Sequence, residues 1–101
     1  MTPSFTKQED LVIITFAGEL NTAESRQAEM DLAPVFYYNN CDFYIDCKDL
    51  TYIASSGLRL LLSLYKYTRK TGHKLTIAHL NEDIKEVFTI SGFMQLFNIE
   101  D

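Results

Sequence analysis

The order in which strand-like and helix-like stretches follow one another constrains this chain most. Leu11–Ala17 (LVIITFA) is rich in β-branched and aromatic residues and ends at Gly18, the pattern of a buried strand. Ser4–Gln8 precedes it as a weaker strand, and Pro3 suits an edge strand or its first residue. Glu9-Asp10 between the two runs predicts a hairpin. A helical stretch follows from Thr22 to about Leu32, with Asn21 or Thr22 as N-cap and Glu24 at capping-box spacing from Asn21. Pro34 ends or kinks it, and Asn39-Asn40 marks a turn. Asp42–Asp46 (DFYID) reads as a short strand, and Asp49–Ile53 as the connection leading out of it. A long helix then runs from about Ser56 to Lys70, closed by Gly72. Lys74–Ala78 is a strand, and Asn81 caps a helix reaching Ile90 that Ser91-Gly92 stops. An apolar run, Phe93–Ile99, ends the chain with room for one final strand. The order β-β-α-β-α-β-α predicts an α/β fold: a mixed sheet with parallel pairs, crossover helices and one antiparallel edge.

With 101 residues, 47% of them hydrophobic, the chain suits one domain with one core. The net charge of −5 and the lack of a Lys/Arg cluster argue against nucleic acid and favour a protein or small-molecule partner. No signal peptide opens the sequence, and the longest apolar stretches, Leu11–Phe16 and Leu60–Leu62, are too short to insert into a membrane. These features predict a cytoplasmic location. Cys41 and Cys47 flank one strand, roughly 20 Å apart if the chain is extended, too far for a mutual disulfide. They read as buried free thiols.

Motifs for phosphate cradles, dinucleotides and zinc hydrolysis are absent, and Ser55 is not in a GxSxG elbow. The sequence therefore calls for no catalytic residues, no metal and no cofactor. A Ser–His pair of Ser55 with His73 or His79 is the enzymatic alternative, against solvated turn histidines. Asp46 and Asp49 could share a cation, against the simpler reading of solvated or capping carboxylates.

The informative segment is Ile53-Ala54-Ser55-Ser56-Gly57-Leu58, a strand exit leading to two hydroxyls and a glycine where a helix begins. The plain reading is N-capping by Ser55. The functional reading is a phosphorylation switch, because free N–H groups and the helix dipole favour a phosphate there. The helix carries two apolar stripes, Leu58-Leu61-Leu62-Tyr65 and Leu60-Leu64-Tyr67, on nearly opposite sides. Arg59, Ser63, Lys66 and Lys70 lie on the flank between them. One stripe must face the sheet, and the other packs under a neighbouring helix or faces a partner.

These segments resemble the STAS domain of bacterial anti-sigma-factor antagonists. Gly18-Glu19-Leu20-Asn21 is similar to that family's G-x-L-D turn, and Ile45-Asp46 to its strand ending in Asp. Ile53-Ala54-Ser55-Ser56-Gly57-Leu58 is similar to its I-D-S-S-G-L signature, and Val87–Phe93 to its V-x-x-x-x-x-G-L/F segment. The resemblance implies a sheet of four to five strands with helices mainly on one face. It implies binding to a partner that is both anti-sigma factor and serine kinase, phosphorylation of Ser55 (Ser56 the alternative), release, and reset by a phosphatase. The implied contact surface is Asn21, Thr22, Ser55, Ser56, Gly57, Leu58, Arg59, Leu60 and Lys66. Three departures stand out: Ala54 and Asn21 where the family has Asp, and an end at Asp101 where the family continues through a last strand and helix. The terminal apolar run is then expected to cover the core another way, for example as a homodimer. A non-switched subunit or scaffold of a transporter ATPase or signalling complex is the alternative role, and a serine hydrolase the third.

Overall fold

Strand β1 (Ser4–Gln8) and strand β2 (Leu11–Leu20) form the expected hairpin, an antiparallel pair about Glu9-Asp10. The structure, a computed structural model, describes residues 3–100. Glu9 turns the hairpin at φ 56°, a left-handed conformation. Helix α1 (Thr22–Asp31) follows, and Pro34 in the first turn of a 3₁₀ segment, Ala33–Tyr37, redirects the chain as anticipated. Strand β3 (Asp42–Ile53) leads to helix α2 (Ser55–Thr71), which Gly72 closes at φ 79°. Strand β4 (Leu75–Ala78), helix α3 (Glu82–Ser91), the turn-length helix α4 (Phe93–Leu96) and strand β5 (Asn98–Glu100) complete the order.

The five strands lie in the order β1-β2-β3-β4-β5, and β2 to β5 run parallel. Two expectations need correction. Asp49–Ile53 is not a connection but the second half of β3, paired with β2 through Leu20↔Ile53. The terminal run does not leave the last strand missing: it supplies β5, and Phe97 is buried against Tyr65, Phe88 and Phe93 at ring separations of 5.4, 5.9 and 5.4 Å. Phe97 and β5 thus cover that end of the core from within the chain.

Alternation decides which face is covered. Val12, Ile14 and Phe16 of β2, Phe43, Ile45 and Cys47 of β3, and Leu75 and Ile77 of β4 are buried. They meet Ala28 of α1, Leu60, Leu61 and Leu64 of α2, and Ile84 and Phe88 of α3 in one core. The intervening residues Leu11, Ile13, Thr15, Asp42, Tyr44 and Asp46 are only half-buried. The helices thus lie on one face, and each buried large apolar side chain there contributes about 1.5–3 kcal/mol.

Candidate functional site

Parallel strands deliver the start of α2 to the carboxyl end of the sheet, beside the end of β2. Ala54 N–H donates to Leu20 O at 2.9 Å, and Leu58 N–H donates to Ala54 O at 3.0 Å. Ala54 is therefore the N-cap of α2, with extended backbone at φ −85° and ψ 170°, and Ser55 is the first helical residue. This corrects the expectation that Ser55 caps the helix. The long β3 hands directly into α2, so the helix begins one residue earlier than anticipated. The capping side chain is then a methyl group, and the first turn has no side-chain acceptor. Both other caps behave as expected: Asn21 Oδ1 accepts from Glu24 N–H at 2.9 Å, and Asn81 Oδ1 from Ile84 N–H at 2.8 Å.

The two serines differ. Ser55 is exposed, and its hydroxyl makes no hydrogen bond to the described residues. Ser56 is half-buried, and its Oγ is shielded from solvent without a hydrogen-bond partner among the described residues. Gly57 is buried because α2 approaches the sheet closely there. A Cβ on it would sit 2.7 Å from Ile53 Cγ1 and 2.9 Å from Leu20 Cδ2.

Asn21, Thr22, Arg59 and Lys66 of the expected contact surface are exposed, and Leu58 is half-buried. Gly57 and Leu60 are not surface residues. Leu60 is 5% exposed and belongs to the core, so both shape the surface only from beneath. The two stripes on α2 also resolve differently from the expectation of opposite faces. Leu60, Leu61, Leu64 and Thr68 form one buried line drawn from both stripes, and Leu58, Leu62, Tyr65 and Tyr67 flank it half-buried. Tyr67 packs on Phe36 at 5.2 Å, and Tyr65 on Phe97 at 5.4 Å.

A groove of about 320 Å³ separates α1 from α2 beside the serines. Thr22, Arg26 and Glu29 line one wall, and Ser56, Arg59 and Ser63 the other. Arg26 and Glu29 escaped the sequence reading. The signal was there: Thr22, Arg26 and Glu29 recur at i, i+4, i+7, which is one face of a helix.

His73 lies past the far end of α2, about 25 Å along the helix axis from Ser55. It borders a second hollow of about 370 Å³ with Tyr65, Arg69, Lys74, Leu75 and Leu96. His79 is exposed at the end of β4, with φ 64°, and its N–H donates to Glu100 O at 3.2 Å. Neither histidine is hydrogen-bonded to Ser55, so the structure assembles no Ser–His pair. Asp46 accepts from Lys48 N–H at 3.0 Å, and no cluster of three or more metal-ligating side chains occurs among the described residues. Cys41 and Cys47 are free and buried. Burial, and secondly the Asp46 carboxylate, push the Cys47 thiol up to about 12. Among the described residues no helix is long and apolar enough to cross a membrane.

A family model described as the STAS domain matches residues 2–101. A Bordetella bronchiseptica protein provisionally named as an anti-sigma factor antagonist, BtrV, is 32% identical over 93 residues, which span 92% of this chain and 80% of that protein. The crystal structure of a protein from Thermotoga maritima, provisionally named in the same way, superposes with a TM-score of 0.85 at 20% identity, over 98% of this chain and 86% of that one. The Bacillus cell fate determinant SpoIIAA in its phosphorylated form superposes with a TM-score of 0.74 at 16% identity, over 96% and 89% of the two chains.

Proposed function

The chain belongs to the STAS-domain family, among relatives named as anti-sigma factor antagonists, and from that membership we propose that it is a binding module switched by phosphorylation of Ser55. Without phosphate it binds a protein that is both anti-sigma factor and serine kinase. That kinase transfers the γ-phosphoryl group of ATP to Ser55 Oγ. The new O–P bond replaces the bond to ADP, and the hydroxyl proton leaves to a kinase base. The modified module then lets go, and a phosphatase restores it. The domain itself performs no chemistry.

One observation carries this reading: Ser55 is an exposed, unbonded hydroxyl at the first residue of α2, within a surface made of Asn21, Thr22, Leu58, Arg59 and Lys66. A kinase reaches such a group without unfolding anything. A phosphate there carries nearly two negative charges into the contact, enough to end binding by repulsion and desolvation with the fold intact. SpoIIAA, which shares the fold, exists in a phosphorylated form. The test is to incubate the protein with its anti-sigma kinase and ATP and map the phosphate by mass spectrometry. Phosphate is expected on Ser55, and none on Ser55 or Ser56 sinks the switch.

Ala54 favours a second reading, a fixed subunit of a transporter or signalling assembly, because it removes the acid that the family places beside the acceptor. Ser55→Asp separates the two. The switch loses partner binding, whereas the fixed subunit keeps it.

A further inference from the structure

Helix α2 carries four cations, Arg59, Lys66, Arg69 and Lys70, and no acid, in a chain whose net charge is −5. Arg69 is engaged: its guanidinium donates to the Tyr65 hydroxyl at 2.9 Å and stacks on that ring at 5.8 Å. Arg59 is not engaged. Its guanidinium is exposed and has no carboxylate partner among the described residues. It lies four residues after Ser55 and three after Ser56, so both serines sit one helical turn from it on its own side of α2. Across the groove stands a second guanidinium, Arg26, which has no ion-pair partner among the described residues, with Glu29 on the same wall. Ser56 Oγ, shielded and without a hydrogen-bond partner among the described residues, lines the same groove. Two guanidinium groups against one carboxylate, Glu29, with the shielded Ser56 hydroxyl beside them, leave this groove net positive and suited to an anion.

Resting on the reading that Ser55 is the acceptor, we propose that Arg59 is the internal counter-ion of the Ser55 phosphate. One turn along the helix, the guanidinium meets the phosphate oxygens in a charge-assisted hydrogen bond, and Arg26 reinforces it from α1. The consequence for the switch is specific. Phosphorylation adds a dianion and also withdraws Arg59 from the partner, so the positive end of the α2 surface inverts its charge on an unmoved backbone. The acid that lines the groove, Glu29, pushes the phosphate towards the monoanion. The free N–H groups in the first turn of α2 favour the dianion by themselves, so the cationic contact is read from the change that Arg59→Gln makes.

The test needs no kinase. The full chain is made with phosphoserine encoded at position 55, and its second ionisation is followed by ³¹P NMR. Against a free phosphoserine value of about 6, the phosphate in the native protein is expected to ionise lower by about half a unit or more. Arg59→Gln, at an exposed position, should return it towards the free value. Arg26→Gln should return it part of the way, and Lys66→Gln should leave it unchanged. Equal values in the native and Arg59→Gln proteins would overturn the proposal. Absence of kinase transfer onto unmodified Ser55 would instead overturn the switch reading and leave the ³¹P result standing.

Discussion

The first turn of α2 leaves its N–H groups without a side-chain acceptor because Ala54 offers only a methyl group. Ala54→Asp should therefore stabilise the fold, by about 1 kcal/mol as a cap and further through the dipole. Urea denaturation at neutral pH reads the change, and an unaltered midpoint would show that the turn gains nothing from a cap. Gly57 answers the opposite pressure. Ile53 and Leu20 are buried and leave no room for a Cβ. Gly57→Ala forces them apart at a cost of about 1–3 kcal/mol, partly offset by the roughly 1 kcal/mol that Ala gains over Gly within a helix. The same denaturation curve should show net destabilisation. A more stable variant would mean that the two aliphatic side chains move aside freely.

At the scale of the element, β3 carries the site and was the least legible part of the sequence. Asp42–Cys47 alternates half-buried and buried residues, but beyond Cys47 the buried positions are Leu50 and Ile53, three apart. Two register shifts against β2, between Thr15 and Ala17 and between Gly18 and Glu19, put extra residues on β3 and break its period of two. A reading based on alternation stops where the first bulge begins, and that error moved the start of α2 by one residue. The remaining elements were legible because their signals are local: Asn21 and Asn81 as caps, Gly72 and Gly92 as left-handed stops, Glu9-Asp10 as the hairpin. The groove was not, since Arg26 and Arg59 come to line one groove only through the packing of α1 on α2. The buried thiol of Cys47 gives the strand a pH signature. Its native value near 12 lies above the ordinary 9.0, so between these values the unfolded chain has lost the proton that the native one keeps. Stability must then fall as pH rises above 9, at up to about 1.4 kcal/mol per pH unit. Urea midpoints from pH 8 to 11 should decline more steeply for the native protein than for Cys47→Ala. Parallel declines would place the thiol in contact with solvent.

For the whole molecule, charge is distributed unevenly in a way that bears on association. The exposed side of α2 is basic, while α3 opens with Glu82 and Asp83, and α1 carries Glu24, Glu29 and Asp31. A partner that reads the Ser55 surface meets a positive ridge on an otherwise acidic body, and complementary charge of that kind acts mainly on the rate of encounter. Lys66 tests this without touching the acceptor. It lies about 16 Å along α2 from Ser55, is exposed, and has no ion-pair partner among the described residues. Lys66→Glu should slow association with the proposed anti-sigma kinase partner several-fold at low salt and change dissociation little. Raising the salt should bring the native and variant rates together, because the Debye length contracts from about 30 Å at 0.01 M to about 10 Å at 0.1 M. Stopped-flow fluorescence measures both rates. A native association rate that does not respond to salt would show that the ridge does not steer the partner, and that recognition rests on Leu58 and the serine turn alone.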